Sequence, residues 1–431
     1  MANKKEPIRP KQGDNRNERQ IKEQQMSLIK IRRIPLTFKG ISWKLDFHEM
    51  NLVPFLMIML ETIFMTMSLA ALEMPLLSYM TLAGVILSFV VMFTLFIHNR
   101  KLTHYGFLYI CFFLILIGIT IIYSQDIKNC IYLSINVWLA LLIFRYYRDR
   151  VKMVYISFAI ALSICAYLNF AHIMSHPMLW ISDKTKDSSG FLLGFNYNQM
   201  GCRLIIALAT SMICIRFSKI WILNSITLAI VCIISLALVG SMTSLSMIVL
   251  FVLFCLIPSV KIRKLGIVGL FTIYLLFQTF VVFSGKGLEN NEMAVYFVVD
   301  VLHKDITFTG RTYMWDAALK IIEQSPVWGW GFATLEWYKS YMSSFAAGPH
   351  NFILSILING GILLFSLFIA ITLKSYKAIK PFINTRTGQD LIFATICLYF
   401  MALMEMYPYP IMFYMLICIS YYPYICKNKQ I

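Results

Sequence analysis

The sequence predicts an all-α, polytopic membrane protein with about twelve transmembrane helices and one long extracytoplasmic loop containing short helices. Three observations carry this expectation. Hydrophobic residues make up 59% of the 431 positions and charged ones only 14%, a balance outside the range of soluble globular chains. Apolar runs of spanning length recur along the chain without the alternation that a β-barrel needs. Lysine and arginine gather in every second connection between those runs, the pattern of a protein oriented by the positive-inside rule.

Taken in order, residues 1–50 form a basic, partly disordered segment expected in the cytoplasm. Its first half, 1–25, is charge-dense with hardly any large apolar residues, and 29–47 is a basic-aromatic stretch suited to the inner membrane face. No apolar core follows the first charges closely enough for a signal peptide. The polytopic domain, 51–425, holds apolar runs near 52–72, 75–97, 105–123, 130–145, 153–174, 200–217, 220–239, 245–260, 266–283, 351–373, 391–406 and 410–425. The basic connections are Arg100 with Lys101, the run from Arg145 to Lys152, Arg216 with Lys219, residues 261–264, residues 374–386, and the 426–431 tail with Lys427 and Lys429. Both termini are therefore predicted in the cytoplasm, and the loop 285–350 outside. Orientation accounts for the net charge of +17, and nucleic acid is not expected as a partner. Seven of the ten cysteines, such as Cys111, Cys214 and Cys397, fall within spans, and the chain has no CxxC pair. Neither a metal nor another cofactor is expected.

The loop 285–350 carries the residues that suggest chemistry, because the rest of the chain is spans and short connections. From Gly310-Arg311 a helical pattern runs with Met314, Ala318, Ile321 and Ile322 as its apolar stripe, until Ser325-Pro326 stops it. Arg311 then lies in the first turn, where a cation opposes the helix dipole by roughly 0.3–1 kcal/mol. Two readings fit it. Free N–H groups at a helix start beside a guanidinium make an anion site whose fork matches phosphate oxygens; alternatively the arginine snorkels to lipid phosphate or caps a neighbouring helix. His350-Asn351 lies where the chain re-enters the membrane, as a base acting on a hydroxyl or as an interfacial anchor. Trp328, Trp330, Phe332, Trp337, Tyr338 and Tyr341 make either a sugar platform or an aromatic belt at the membrane surface.

Three further ionisable groups lie in or near apolar runs, where charge costs about 2.5–3.5 kcal/mol on insertion scales and usually faces a cavity or a partner. Arg203, near the outer end of its helix, is a second anion-site candidate. Glu405, near the outer end of its own, is expected to orient His350 or Arg311 or to lie at the interface. Glu61 lies nearer mid-span.

These residues together resemble a known group, the bacterial O-antigen ligase and polymerase superfamily of integral-membrane enzymes. The resemblance rests on Gly310-Arg311-Thr312-Tyr313-Met314-Trp315, on Ser325-Pro326-Val327-Trp328-Gly329-Trp330-Gly331, and on His350-Asn351-Phe352-Ile353-Leu354 leading to Gly360-Gly361. A further element before a span is matched by the segment from Gly194 through Asn198 to Gly201. Many members have Ser-Arg where this chain has Ser241-Met242, so one expected arginine is absent. The resemblance implies transfer of oligosaccharide from undecaprenyl pyrophosphate on the outer face of the bacterial cytoplasmic membrane, with inversion and without a divalent cation. It implies Arg311 at the pyrophosphate, joined by Arg203 if that residue takes over the role of the absent arginine instead of the donor being held differently, and His350 at the acceptor hydroxyl with Asn351 and Trp315 supporting. Asn198, in the matched segment, and Glu405, by its position, are further substrate-binding candidates. Expected partners are the lipid-linked oligosaccharide, membrane lipid and other polysaccharide-assembly proteins.

The leading expectation is a polymerase that joins lipid-linked repeat units into a capsule, exopolysaccharide or O-antigen. A ligase that moves finished glycan to another acceptor is the nearest alternative. A lipid-linked sugar transporter would place its charges along a central pathway. A glycosyltransferase with an acidic residue in its first outer connection has only Glu73 to offer.

Overall fold

The computed structural model describes residues 52–67, 75–98, 103–181, 191–194, 197–285, 292–301, 308, 310–343 and 346–427. The predicted cytoplasmic segment 1–50, Glu73 and the last residues of the tail lie outside the described residues, as does part of the loop 285–350. Within them the chain is helical, with no strand beyond a single bridge between Phe191 and Gly194.

The principal helices are α1 (Leu52–Thr66), α2 (Pro75–His98), α3 (His104–Ile122), α4 (Ile127–Tyr146), α5 (Val151–Ser175), α6 (Met200–Cys214), α7 (Ile220–Val239), α8 (Met242–Leu256) and α9 (Val260–Phe277). The loop supplies α10 (Arg311–Gln324) and α11 (Leu335–Tyr341), and α12 (Phe352–Ile379), α13 (Arg386–Met401) and α14 (Tyr409–Lys427) complete the fold. Each of the twelve apolar runs falls on one of these helices. Six helices are long and apolar enough to cross a membrane: His104–Ile122, Ile127–Tyr146, Arg148–Ser175, Ile220–Val239, Val260–Val282 and Phe352–Phe382. Leu52–Ile63, Ile86–His98, Met242–Leu256 and Tyr409–Ile425 are shorter apolar helices. The molecule is thus an all-helical, multi-pass membrane protein.

Helices α5 and α6 form the centre. Most of the apolar stretch Arg148–Ser175 is buried inside the protein, against 28% for Val260–Val282, which therefore lies at the periphery. Gly201 brings α6 against α8: a Cβ there would meet the Ser244 Oγ at 2.2 Å. On the far side α12 packs against α3, α10 and α14.

The basic cluster 261–264 departs from expectation. It opens α9 instead of lying in a connection, and Arg263 is completely buried. Its guanidinium stacks on the Phe254 ring, pairs with Asp390, and donates to Gln389 Oε1 and to the carbonyls of Phe254 and Arg386. A desolvated arginine persists only when its donors are filled this way, so Arg263 is a clamp between the α8–α9 turn and α13. Glu61 is also buried. It accepts a hydrogen bond from Ser88 Oγ on Oε2 and lines a cavity of about 320 Å³ between α1, α2 and α4.

Helix α12 is broken at Gly360-Gly361, where the backbone leaves helical geometry (φ −153° and +56°). The loop segment after α10 fills the break. Trp330 and Gly331 donate to the carbonyls of Ile358 and Asn359 at 2.7 and 3.0 Å, and Ile362 donates to Pro326 O at 2.8 Å. A broken membrane helix needs such replacement partners, since lipid offers none. Glycine is required on both sides of the joint. A Cβ on Gly329 would lie 2.4 Å from Ile358 O, and one on Gly361 2.3 Å from Val327 O.

Candidate functional site

Two successive devices set the N-terminal end of α12. Asn351 is its N-cap, extended at φ −153° with Oδ1 accepting from Leu354 N at 3.0 Å, a cap worth about 1 kcal/mol. The Asn351 amide then donates to Gln278 Oε1 at 3.0 Å and to Leu403 O at 3.2 Å. Gln278 begins a π-helical turn, Gln278–Val282, that extends α9, a distortion common at functional sites. Immediately before the cap, His350 has φ +46°. This left-handed backbone is uncommon outside glycine and costs on the order of 1–3 kcal/mol.

His350 meets the α13–α14 connection, residues 402–408. Glu405 Oε1 lies 3.3 Å from His350 Nδ1 and accepts from its own neighbour, Met406 N, at 3.1 Å. The carboxylate is buried while the imidazole is 27% exposed, so the ring has one side on protein and another on open space. Glu405 was expected near the end of a helix and instead occupies this connection. Of the partners open to it, it takes His350.

Arg311 reaches the same connection from the opposite side. Its Nε donates to Met404 O at 2.8 Å, one residue from Glu405, and its Nη1 to Phe308 O at 3.1 Å. Gly310 precedes it at φ +79° and no side chain caps α10. The buried stripe of α10 is Thr312, Trp315, Ala318 and Ile321, shifted from the expected one, with Met314 and Ile322 only half-buried. Trp315 is sealed within it: its ring is fully buried against Phe277 and Phe308. It lies one helical turn along α10 from Arg311, and Phe308, against which it packs, accepts from Arg311 Nη1 through its carbonyl.

Arg203 and Asn198 approach from α6. The Arg203 guanidinium is held by the carbonyls of Leu193 and Gln199, both at 3.2 Å. Asn198 accepts from Ser241 Oγ on its side chain at 3.2 Å and from the Tyr407 hydroxyl on its backbone at 3.4 Å. Burial pushes the Tyr407 hydroxyl well above its ordinary range; Cys202 and Glu405 act in the same direction, and Arg203 opposes them. Arg203, Glu405 and Tyr407 thus share one electrostatic neighbourhood. Met242, at the position of the absent arginine, is the first residue of α8 and is 62% exposed.

The connection 402–408 is therefore the hub. In sequence order its residues engage Phe352 and Asn351 (through the carbonyls of Ala402 and Leu403), Arg311 (Met404), His350 (Glu405), Gly348 (Met406) and Asn198 (Tyr407). Of the seven expected site residues, Glu405 belongs to this hub and Arg311, His350, Asn351 and Asn198 touch it, while Trp315 stands one helical turn from Arg311 and Arg203 bonds Gln199, next to Asn198. The hub itself, apart from Glu405, and Gln278 were missed. A short apolar turn acting through main-chain carbonyls carries no side-chain signature, although a glutamine at the end of a span is a visible signal.

Polar satisfaction marks the same place. Among the described residues, nine buried side-chain nitrogen and oxygen atoms lack a hydrogen-bond partner. Six of them belong here: Arg203 Nε, Gln278 Nε2, Thr312 Oγ1, Trp315 Nε1, His350 Nδ1 and Glu405 Oε2. Native proteins pair the large majority of such groups, and a concentration of exceptions calls for water or a ligand. Among the described residues no group of three or more His, Cys, Asp or Glu side chains is placed to hold a metal ion.

No curated protein matches the chain. Residues 227–369 match the family model described as O-antigen ligase, a stretch that contains Arg311, Trp315, His350, Asn351 and the Gly360-Gly361 break but not Asn198, Arg203 or Glu405. That match, over this part of the chain, supports the O-antigen ligase and polymerase superfamily.

Proposed function

We propose that the protein is a polymerase that joins polyprenyl pyrophosphate-linked oligosaccharide repeat units into a surface polysaccharide on the outer face of the bacterial cytoplasmic membrane. The observation that carries this reading is the convergence of Arg311, His350 and the Arg203 neighbourhood on the single connection 402–408. A guanidinium pair suits a pyrophosphate leaving group: the charge that develops as the glycosidic bond breaks is met by fixed donors, the largest kind of catalytic stabilisation available without a metal. An imidazole backed by a carboxylate suits the other half of the reaction. Glu405 faces Nδ1, which leaves Nε2 of His350 to take the proton of an acceptor hydroxyl as its oxygen attacks the anomeric carbon. Attack opposite the departing pyrophosphate inverts that carbon. Asn351 and Gln278 fix the cap that aims His350, and Trp315 supports Arg311.

The sidedness rests on the basic connections, which put the loop 285–350 outside and both termini in the cytoplasm. A transporter is the weaker reading, because the charged groups gather at one connection instead of lining a path across the bilayer. The ligase reading is favoured by the description of the matching family model. Lipid-linked glycans from a deletion strain separate the two: accumulation of single repeat units supports the polymerase, and long lipid-linked polymer overturns it in favour of the ligase.

A further inference from the structure

The loop, together with Tyr123 at the end of α3, carries a row of aromatic rings that the transfer site does not use. Tyr123, Trp330, Trp337 and Tyr341 follow one another with centroid separations of 5.3, 6.2 and 4.6 Å, the last pair stacked. The two ends are the most open, Tyr123 at 38% and Tyr341 at 55% exposure. The row adjoins the site. Tyr338, next to Trp337, is buried with its ring against Gly348, two residues from His350.

An aromatic belt requires only that rings sit at the right depth, with indole N–H groups directed to water or headgroups. This row is built differently. The Trp330 indole donates inward to Ile321 O at 3.2 Å, and its backbone is pinned to Ile358 in the broken helix. Helix α11, which carries Trp337 and Tyr341, is capped by Thr334 accepting from Trp337 N at 3.1 Å. Exposed Glu336, Lys339 and Ser340 alternate with the rings. Rigid ring faces beside charged and hydroxyl groups suit a sugar chain, whose C–H faces stack on aromatics while its hydroxyls exchange hydrogen bonds.

We propose that the Tyr123–Trp330–Trp337–Tyr341 row is a binding platform for the glycan chain, holding several sugars beyond the one that reacts at His350. The proposal rests on the transferase reading above and gives it a second, separable part: the row holds the chain, while the hub performs the transfer.

The test uses full-length protein in detergent and oligosaccharide released by mild acid from the strain's own polysaccharide, in fractions of one and of several repeats. Saturation-transfer NMR should show the longer fraction binding to wild type and to His350→Ala alike. Trp337→Ala and Tyr341→Ala should each weaken it about 3- to 10-fold, with Trp337→Phe close to wild type as the control for folding. In cells, both alanine variants should make shorter polymer while still consuming single repeat units. Unchanged binding and unchanged polymer length in both variants overturn the platform and return the row to an interfacial belt. The two readings fail separately, since normal polymer from His350→Ala removes the transfer site without touching glycan binding.

Discussion

Two regions meet the N-terminal half of α12, and they are built in opposite ways. At the break, the segment Pro326–Gly331 docks on Gly360-Gly361 so closely that added Cβ atoms would fall within 2.3–2.4 Å of main-chain oxygens, and loop and helix exchange their freed backbone bonds. Around the connection 402–408, which the cap contacts through Leu403 O, six buried polar atoms lack a hydrogen-bond partner and His350 is held in a left-handed backbone. The first region is closed and satisfied; the second is strained and unsatisfied. Family resemblance marks both, but only the second has chemistry left to offer. A motif of glycines here holds the loop in place, and a motif of arginine and histidine works at the place it holds.

The largest effects should separate the two regions most sharply. His350→Ala is expected to abolish polymer while the amount of membrane-inserted protein stays near wild type, because no hydrogen bond that holds the fold runs through the imidazole. Gly361→Ala should do the reverse, since a left-handed, enclosed glycine cannot take a Cβ without moving the loop, at a cost of several kcal/mol. Polymer and folded protein should then fall together. Immunoblots of membranes beside polysaccharide gels distinguish the cases, and an unfolded His350→Ala would reduce that residue to an anchor.

Next in size comes Arg311→Lys, which keeps the charge and loses the fork. Most activity should disappear, about 10- to 100-fold in polymer formed per protein, by loss of one charge-assisted bidentate contact. Near-normal polymer from this variant would remove Arg311 from the site. Arg203→Lys should lose less, because both Arg203 hydrogen bonds run through the single nitrogen Nη1, which an ammonium can replace, whereas Arg311 uses Nε and Nη1. Equal losses in the two variants would mean that both arginines meet the leaving group on the same terms.

The contrast also explains what the sequence could tell. Helix positions were legible because lipid demands long apolar runs, and all twelve runs fall on helices. Arg311, His350 and Asn351 drew attention in the sequence because polar groups at the ends of a long loop have few structural reasons to be there. Arg263 was read as part of a basic connection, because burial of a charge depends on partners from α8 and α13 that no local pattern announces. The hub at 402–408 was illegible for a similar reason. Its work is done by carbonyl oxygens of Ala402, Leu403 and Met404, and every residue has one.

The smallest effect tests whether the hub truly joins Arg203 to the rest. Tyr407 reaches Asn198 O through a long hydrogen bond of 3.4 Å, at the weak end of the range, so Tyr407→Phe should lower activity only about two- to threefold. The hydroxyl sits well above its ordinary range through burial, reinforced by Cys202 and Glu405 and opposed by Arg203. It therefore stays protonated at any working pH, and its contribution to stability is lost only as pH rises past the ordinary tyrosine value of about 10. The activity ratio of Tyr407→Phe to wild type should accordingly be flat from about pH 6 to about pH 9. Combined with Arg203→Lys, the phenylalanine should add little if the two act through one link, and a double-mutant cycle measures that coupling directly. Strict additivity would separate the α6 side from the hub and leave Arg311 and His350 as the site.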